Sequence, residues 1–215
     1  MTNSSKPKRT YNSTRRQAQA RQTRQQIADA ARTLFSQRGY AGATIEALAQ
    51  EAGVAPETIY AVFGSKRNIL SHLLDISIGG DDAPIPLMER PDPQAILQGN
   101  DQHQQLRMLA RSIATRMERI APVFEIMRIA AKTEPDMADL LQHKNKERWQ
   151  NMEIVIQHVV ANGLLRVGMD TAQATDIVWT LMSPEVFLLL TVDRGWSKDQ
   201  YDEWLADSLI RLLLP

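Results

Sequence analysis

The sequence predicts an all-α protein, with an N-terminal three-helix helix-turn-helix domain followed by a larger C-terminal helical domain. Three observations predict it. Apolar residues recur at helical spacing along most of the 215 residues. Glycine, proline and small hydroxyl residues fall at the ends of those runs, where helix caps belong. No stretch alternates apolar and polar residues in the way a half-buried strand requires. About nine helices are expected, and an apolar content of 43% is enough to bury a core.

Residues 1–22 are expected to form a basic arm, of which 1–12 (MTNSSKPKRTYN) have too little apolar content to order themselves. Lys6, Lys8, Arg9, Arg15, Arg16, Arg21 and Arg24 stand within the first 28 residues, which contain no acid. That end carries +7, and the remaining 187 residues, with 18 basic and 25 acidic side chains, carry −7. The formal net charge of zero therefore conceals one end that seeks an anion.

The helix-turn-helix domain is expected over 23–78. Thr23 and Gln26 fit a capping box, Ile27, Ala31, Leu34 and Phe35 share one helical face, and Gly39 ends the run. Thr44 then caps a helix carrying Ile45, Leu48 and Ala49, which Gly53 closes. Pro56 suits the first position of the next helix, where no N–H is needed, and Glu57 suits its first turn. Ile59, Val62 and Phe63 should pack inward, Gly64 should end that helix, and Ser65 should cap another running through Leu70 to Ile78.

Residues 79–100 hold four prolines and three glycines and read as a connector. Residues 101–215 form the second domain, with helices over about 101–119, 121–133, 136–162, 171–192 and 198–213. Gly163 closes the third of these, Asp170 with Gln173 opens the next, and Ser197 with Gln200 opens the last.

A helix, a short turn containing Gly and a second short helix make the unit that places its second helix in a DNA major groove, although such corners also occur as plain packing. The upstream basic cluster favours the DNA reading, because phosphate neutralisation supplies most non-specific affinity. At these residues the chain resembles the tetracycline-repressor (TetR) family of transcriptional regulators. The resemblance rests on Arg24, Ile27, Ala31, Phe35, Gly39, Tyr40, Thr44, Ala49, Ala52, Gly53, Val54, Thr58, Ile59, Tyr60, Phe63, Lys66 and Leu70.

The resemblance implies that Thr44, Thr58, Tyr60 and Lys66 approach phosphates, with Pro56 opening the recognition helix. A free helix N-terminus, hydroxyls and an ammonium can position a duplex without reading it. Several positions depart from the pattern: Ala55 stands where a hydroxyl cap is usual, Glu57 where Gly or Ala is often found, and Ala61 and Val62 near where aromatic or His residues are often found, so direct base donors are scarce. Glu57 is suited to accept from a cytosine amino group, and equally to repel phosphate. Arg9, Arg15 and Arg16 are candidates for the minor groove or for a solvated tail that adds affinity only.

For residues 101–215 the resemblance implies dimerisation and a ligand pocket. Val178, Leu181, Met182, Phe187 and Leu190 on one helix, with Trp204, Leu205, Leu209 and Leu212 on the last, are the candidate dimer surface. Pro184 should kink or restart its helix. Met117, Phe124, Met127, Arg128, Trp149, Met152 and Trp179 are the candidate lining of an adaptable apolar pocket, and each is equally an ordinary core residue.

No enzyme is expected. Cysteine is absent, His72, His103, His143 and His158 are scattered, His143 and Glu147 lack a third metal ligand, and no phosphate loop or nucleophile motif occurs. No cofactor or metal is expected. The longest apolar stretch, Ile177 to Val192, contains Pro184 and Glu185 and falls short of the ~20 residues of a spanning helix, so a cytoplasmic protein without a membrane partner is expected.

The resulting expectation is a repressor that binds a pseudo-palindromic operator in double-stranded DNA as a homodimer, and that a small, largely apolar effector releases. An architectural DNA-binding protein without effector, or a helical protein-interaction module, shares many of these features.

Overall fold

The computed structural model describes residues 11–215, with side chains from residue 15 onward. Among these residues there are ten α-helices and no strand. They are α1 (Tyr11–Gly42), α2 (Ile45–Ala52), α3 (Pro56–Phe63), α4 (Lys66–Gly79), α5 (Pro91–Leu97), α6 (Gln102–Ala130), α7 (Pro135–Ala161), α8 (Thr171–Leu181), α9 (Pro184–Leu188) and α10 (Lys198–Leu213). A 3-10 turn at Leu87–Glu89 precedes α5, and a π-helical turn at Leu189–Asp193 follows α9. The chain forms two compact units, divided between Ile69 and Leu70.

In the first unit, α1 starts at Tyr11, so Thr23 lies inside the helix instead of capping it. Gln, Ala and Arg are good helix formers, and extending an existing helix needs no new nucleus. Gly39, at φ 67, breaks the helical path where expected. Ile27, Ala31, Leu34 and Phe35 of α1 are buried with Leu48 and Ala49 of α2 and Ile59 and Phe63 of α3. Phe35 and Tyr40 stack at 5.6 Å between centroids.

In the second unit, α10 packs along α6, and α7 packs on both α6 and α8. The core contains Leu106, Met117 and Met127 of α6, Met137, Ile156 and Val159 of α7, Val178 of α8, and Tyr201, Leu205 and Leu209 of α10. The helices expected at 101–119 and 121–133 are one helix, α6, which runs through Pro122. An interior proline costs about 3 kcal/mol; burial of Ala121, Val123 and Phe124 on either side offsets it. Segment 79–100 carries α5, whose Ile96 is buried, and Arg90 gathers the loop before it through Gly79 O, Asp81, Ala83 O and Ile85 O.

The expected helix at 171–192 divides at Ser183 and Pro184 into α8, α9 and the π turn. Thr171–Asp193 has the length and apolar composition of a membrane-crossing segment, yet Val178, Met182 and Phe187 along it are taken by the core. The capping boxes Asp170/Gln173 and Ser197/Gln200 form as their spacing predicts.

Candidate nucleic-acid interface and effector site

Local chemistry builds the turn. Thr44 Oγ1 accepts from Ala47 N at 3.2 Å, which starts α2. Gly53 takes φ 66, and the Gly53 and Val54 amides return to carbonyls at the end of α2. A side chain at Gly53 would be strained in this left-handed conformation. Pro56 then opens α3 with Ala55 at the cap position, and no side chain caps it. Ser65 Oγ accepts from Asn68 N at 3.2 Å at the start of α4, while Asn68 Nδ2 donates to Phe63 O at 2.7 Å and so ties the end of α3 to α4.

One face of α3 is spent on the core through Ile59 and Phe63. The other is open: Glu57 is exposed, Thr58 and Pro56 are half-buried, and Tyr60 is 55% exposed. Tyr60 is therefore a surface aromatic and not a core one. Thr44 is also exposed. Lys66 is more constrained than its sequence position suggests. Its Nζ donates to Tyr40 O at 2.8 Å and lies 4.1 Å from the centre of the Tyr40 ring. An ammonium has three donors, and this bond uses one. Arg24, counted in the basic segment, places its guanidinium 4.5 Å over the Phe63 ring.

Arg15 and Arg16 lie on α1 with exposed side chains, in a helix and not in an extended arm. A helix ~10–12 Å across does not itself fit a minor groove ~6 Å wide, so from this segment only the side chains of Arg15 and Arg16 could reach into one. Arg9 lies outside the described residues.

In the second unit, Met117, Phe124, Met127 and Met152 are buried, whereas Arg128, Trp149 and Trp179 are half-buried. Arg128 is held by a bidentate pair with Glu125 one turn earlier, both bonds 2.7 Å. Trp149 Nε1 donates to Asp176 at 2.8 Å and joins α7 to α8. His143 and Glu147 make a 3.3 Å pair on the exposed face of α7, and among the described residues no three His, Asp or Glu are grouped to hold a metal ion.

The expected dimer residues separate into two groups. Val178, Met182, Phe187, Leu205 and Leu209 are buried in the protomer's own core, which removes them from any outer surface. Leu181, Leu190 and Trp204 are half-buried, and Leu212 is exposed. Leu189 and Val192, which the pattern did not single out, are 53% and 68% exposed beside them in sequence.

Sequence reasoning also passed over Arg148 and Tyr201. Tyr201 is buried; its ring meets Phe187 edge-on at 5.0 Å, and burial holds its phenol well above the ordinary range. Arg148 lies over the Trp179 ring at 4.2 Å, and burial pushes its guanidinium down to about 10. The available signal was its spacing: Arg148 falls one turn before Met152, on the stripe that continues to Val155, Ile156 and Val159.

Residues 27–73 match the pattern described as "Bacterial regulatory proteins, tetR family". Over 68 residues, 32% of this chain, the sequence is 31% identical to the HTH-type transcriptional repressor BdcR of Escherichia coli K12. That match spans about a third, 34%, of the repressor's length. The fold is that of the TetR family transcriptional regulator PfmR from Thermus thermophilus, with a TM-score of 0.60 and 21% identity over 87% of this chain and 96% of that one. It is equally that of the transcriptional regulator FadR from Bacillus subtilis in complex with stearoyl-CoA, at 0.67 and 17% over 86% and 97%. With the helix-turn-helix built as described, residues 27–73 carry the pattern of the tetR family of bacterial regulatory proteins across it, and most of the chain shares the fold of regulators of that family.

Proposed function

We propose that the protein is a transcriptional repressor that binds a pseudo-palindromic operator as a homodimer and releases it when a small molecule binds the second unit. The observation that carries this reading is the outer face of α3. Glu57, Thr58 and the half-exposed Tyr60 ride on a short helix whose opposite face, Ile59 and Phe63, locks it to the domain. That combination of rigid mounting and open polar surface suits a helix in the major groove.

Thr44, Thr58, Tyr60 and Lys66 take the phosphates in this reading, and Glu57 is the one acid on α3 able to accept from a cytosine amino group. Arg15 and Arg16 add phosphate contacts from the helical extension, so their contribution is affinity more than sequence. The exposed apolar residues Leu189, Val192 and Leu212, with Leu181, Leu190 and Trp204, supply the surface for a second copy. In such a dimer the two α3 helices meet half-sites ~34–36 Å apart. The FadR structure, which holds stearoyl-CoA, supports an effector in the second unit. A coupling of ~1–3 kcal/mol between effector and operator is typical of such links.

Selection from a random duplex pool at stated salt tests the reading. Enrichment of an inverted repeat is the expected result. The scarcity of base-reading side chains on α3 favours one other reading, an architectural protein without operator, and salt-sensitive retention without an enriched repeat would establish that one instead.

A further inference from the structure

Arg148 stands where the helical spacing of α7 calls for an apolar residue, and the break after α8 explains what draws it there. Pro184 has no N–H, and the Ser183 amide turns to Thr180 O at 3.1 Å, so Trp179 O is left without its usual donor four residues on. Arg148 Nη1 donates to Trp179 O at 2.7 Å and reaches Met182 O at 3.5 Å. The guanidinium plane covers the Trp179 ring. One corner of this cation is therefore spent on closing a helix end.

Its other edge is not spent. Arg148 Nε is buried without an acceptor, and so is Trp179 Nε1. Among the described residues only three buried side-chain polar atoms lack a partner, and two of them belong to this pair. Among the described residues Glu185, an exposed residue at the start of α9, is the carboxylate that acts on Arg148, and it does so through space without a side-chain hydrogen bond. Burying an unpaired cation and two unmet donors is costly unless something completes them. Arg148 and Trp179 both keep partial exposure, while their two unmet donors are closed to solvent, so a ligand reaches them only by displacing the side chains that cover them.

We propose that the Nε–Nη2 edge of Arg148, with the Trp179 indole N–H beside it, is the anchoring subsite for the carboxylate of an amphipathic effector. The chemistry is specific. A guanidinium edge presents two parallel N–H groups that match the two oxygens of a carboxylate, and the indole adds a third donor. An uncharged head group would leave the cation uncompensated. The apolar remainder of such a ligand would lie against the Trp179 ring and Met152, one turn along α7. This inference rests on the effector reading above and sharpens it from a largely apolar ligand to an apolar carboxylate. Because the same guanidinium holds the end of α8, occupancy of its outer edge bears on the α8–α9 break itself.

The test is calorimetric titration of the full chain with octanoate and with octanol, in the parent, Arg148→Gln and Trp179→Phe, each first checked for folding by circular dichroism. The parent is expected to bind octanoate at least tenfold more tightly than octanol. Arg148→Gln should erase the preference, and Trp179→Phe, which keeps the ring and deletes the N–H, should weaken octanoate severalfold while leaving octanol unchanged. Equal binding of the two compounds by the parent overturns the proposal, as does binding of neither, or a preference that survives Arg148→Gln. Should Arg148→Gln fail to fold, an octanoate affinity unchanged in Trp179→Phe overturns it instead. Dissociation of dimers in Arg148→Gln, with no carboxylate preference in the parent, would assign the edge to a second copy and also overturn it. A carboxylate preference without any effect on DNA retention would uphold the subsite and remove the effector reading instead.

Discussion

Replacing Ala55 by Ser should stabilise the protein by at most about 1 kcal/mol, because the backbone before α3 already has the cap conformation and offers the Thr58 amide only the Ala55 carbonyl, at 2.9 Å. Ala55 has φ −76 and ψ 148, with no side-chain cap bond. The cap of α2 provides the comparison: Thr44, at φ −75 and ψ 162, accepts from the third amide of its helix at 3.2 Å. The two backbones differ by 1° in φ and 14° in ψ, so a serine hydroxyl at 55 needs no rearrangement to reach the Thr58 amide, the counterpart of Ala47. Adding or removing such an acceptor is worth ~0.5–2 kcal/mol, and each kcal/mol shifts Tm by ~2–4 °C for a chain of this size. Urea unfolding followed by helical circular dichroism measures it. Ala55→Ser should raise the midpoint with m unchanged, and Thr44→Ala should lower it by a similar amount. A lowered or unmoved midpoint for Ala55→Ser, alongside a normal loss for Thr44→Ala, would refute the argument from cap geometry.

Three further outcomes are expected. Lys66→Ala and Tyr60→Ala should weaken retention on all duplexes alike, and Lys66→Ala should reduce the slope of log K against log salt by ~1; sequence-dependent losses would show that these residues read bases. Glu57→Ala should change the preferred base at one position of the half-site, with ~1–3 kcal/mol of discrimination lost, and an unchanged selected motif would remove Glu57 from the base-reading role. Alkaline denaturation reports on Tyr201. Burial raises its folded-state pKa, so its contribution to stability is complete below the ordinary tyrosine value of ~10 and is lost as pH rises beyond it. Arg148, pushed down to about 10, acts in the opposite sense and is present in both proteins compared. Tyr201→Phe should therefore flatten the fall in stability as pH rises above about 10, and equal slopes there would contradict it.

The parts of the fold that sequence made legible are those decided within a few residues. Thr44, Gly53, Pro56, Asp170 with Gln173, and Ser197 with Gln200 all hold the positions that their chemistry predicts, because caps and turns need only neighbours along the chain. The misplaced boundaries have tertiary or cooperative causes. Pro122 fails to end α6 because the flanking side chains are buried on both sides of it, and α1 runs back past Thr23 because extension is easier than initiation. The apolar faces of α8 and α10 were visible as faces. Periodicity alone does not say whether such a face meets its own chain or another, and Val178, Met182, Phe187, Leu205 and Leu209 meet their own. Arg148 was hidden for a related reason: its partners are carbonyls set free by a break 36 residues later at Pro184.

Every side chain from Arg15 to Gln22 on α1 is exposed, so this stretch is held by its backbone bonds and by continuity with the anchored turns at Ile27 and Ala31. Each added residue there is close to neutral in free energy, with propagation constants of ~1–1.6 even in good helix formers. The first turn has no acid to favour the helix start, while Arg15, Arg16 and Arg21 repel one another. The length of this segment is then an equilibrium quantity. Neutralising its charges lengthens it, dilution of salt shortens it, and each turn gained or lost carries the tip ~5.4 Å. Ionic strength thus sets how far the positive end of the molecule reaches.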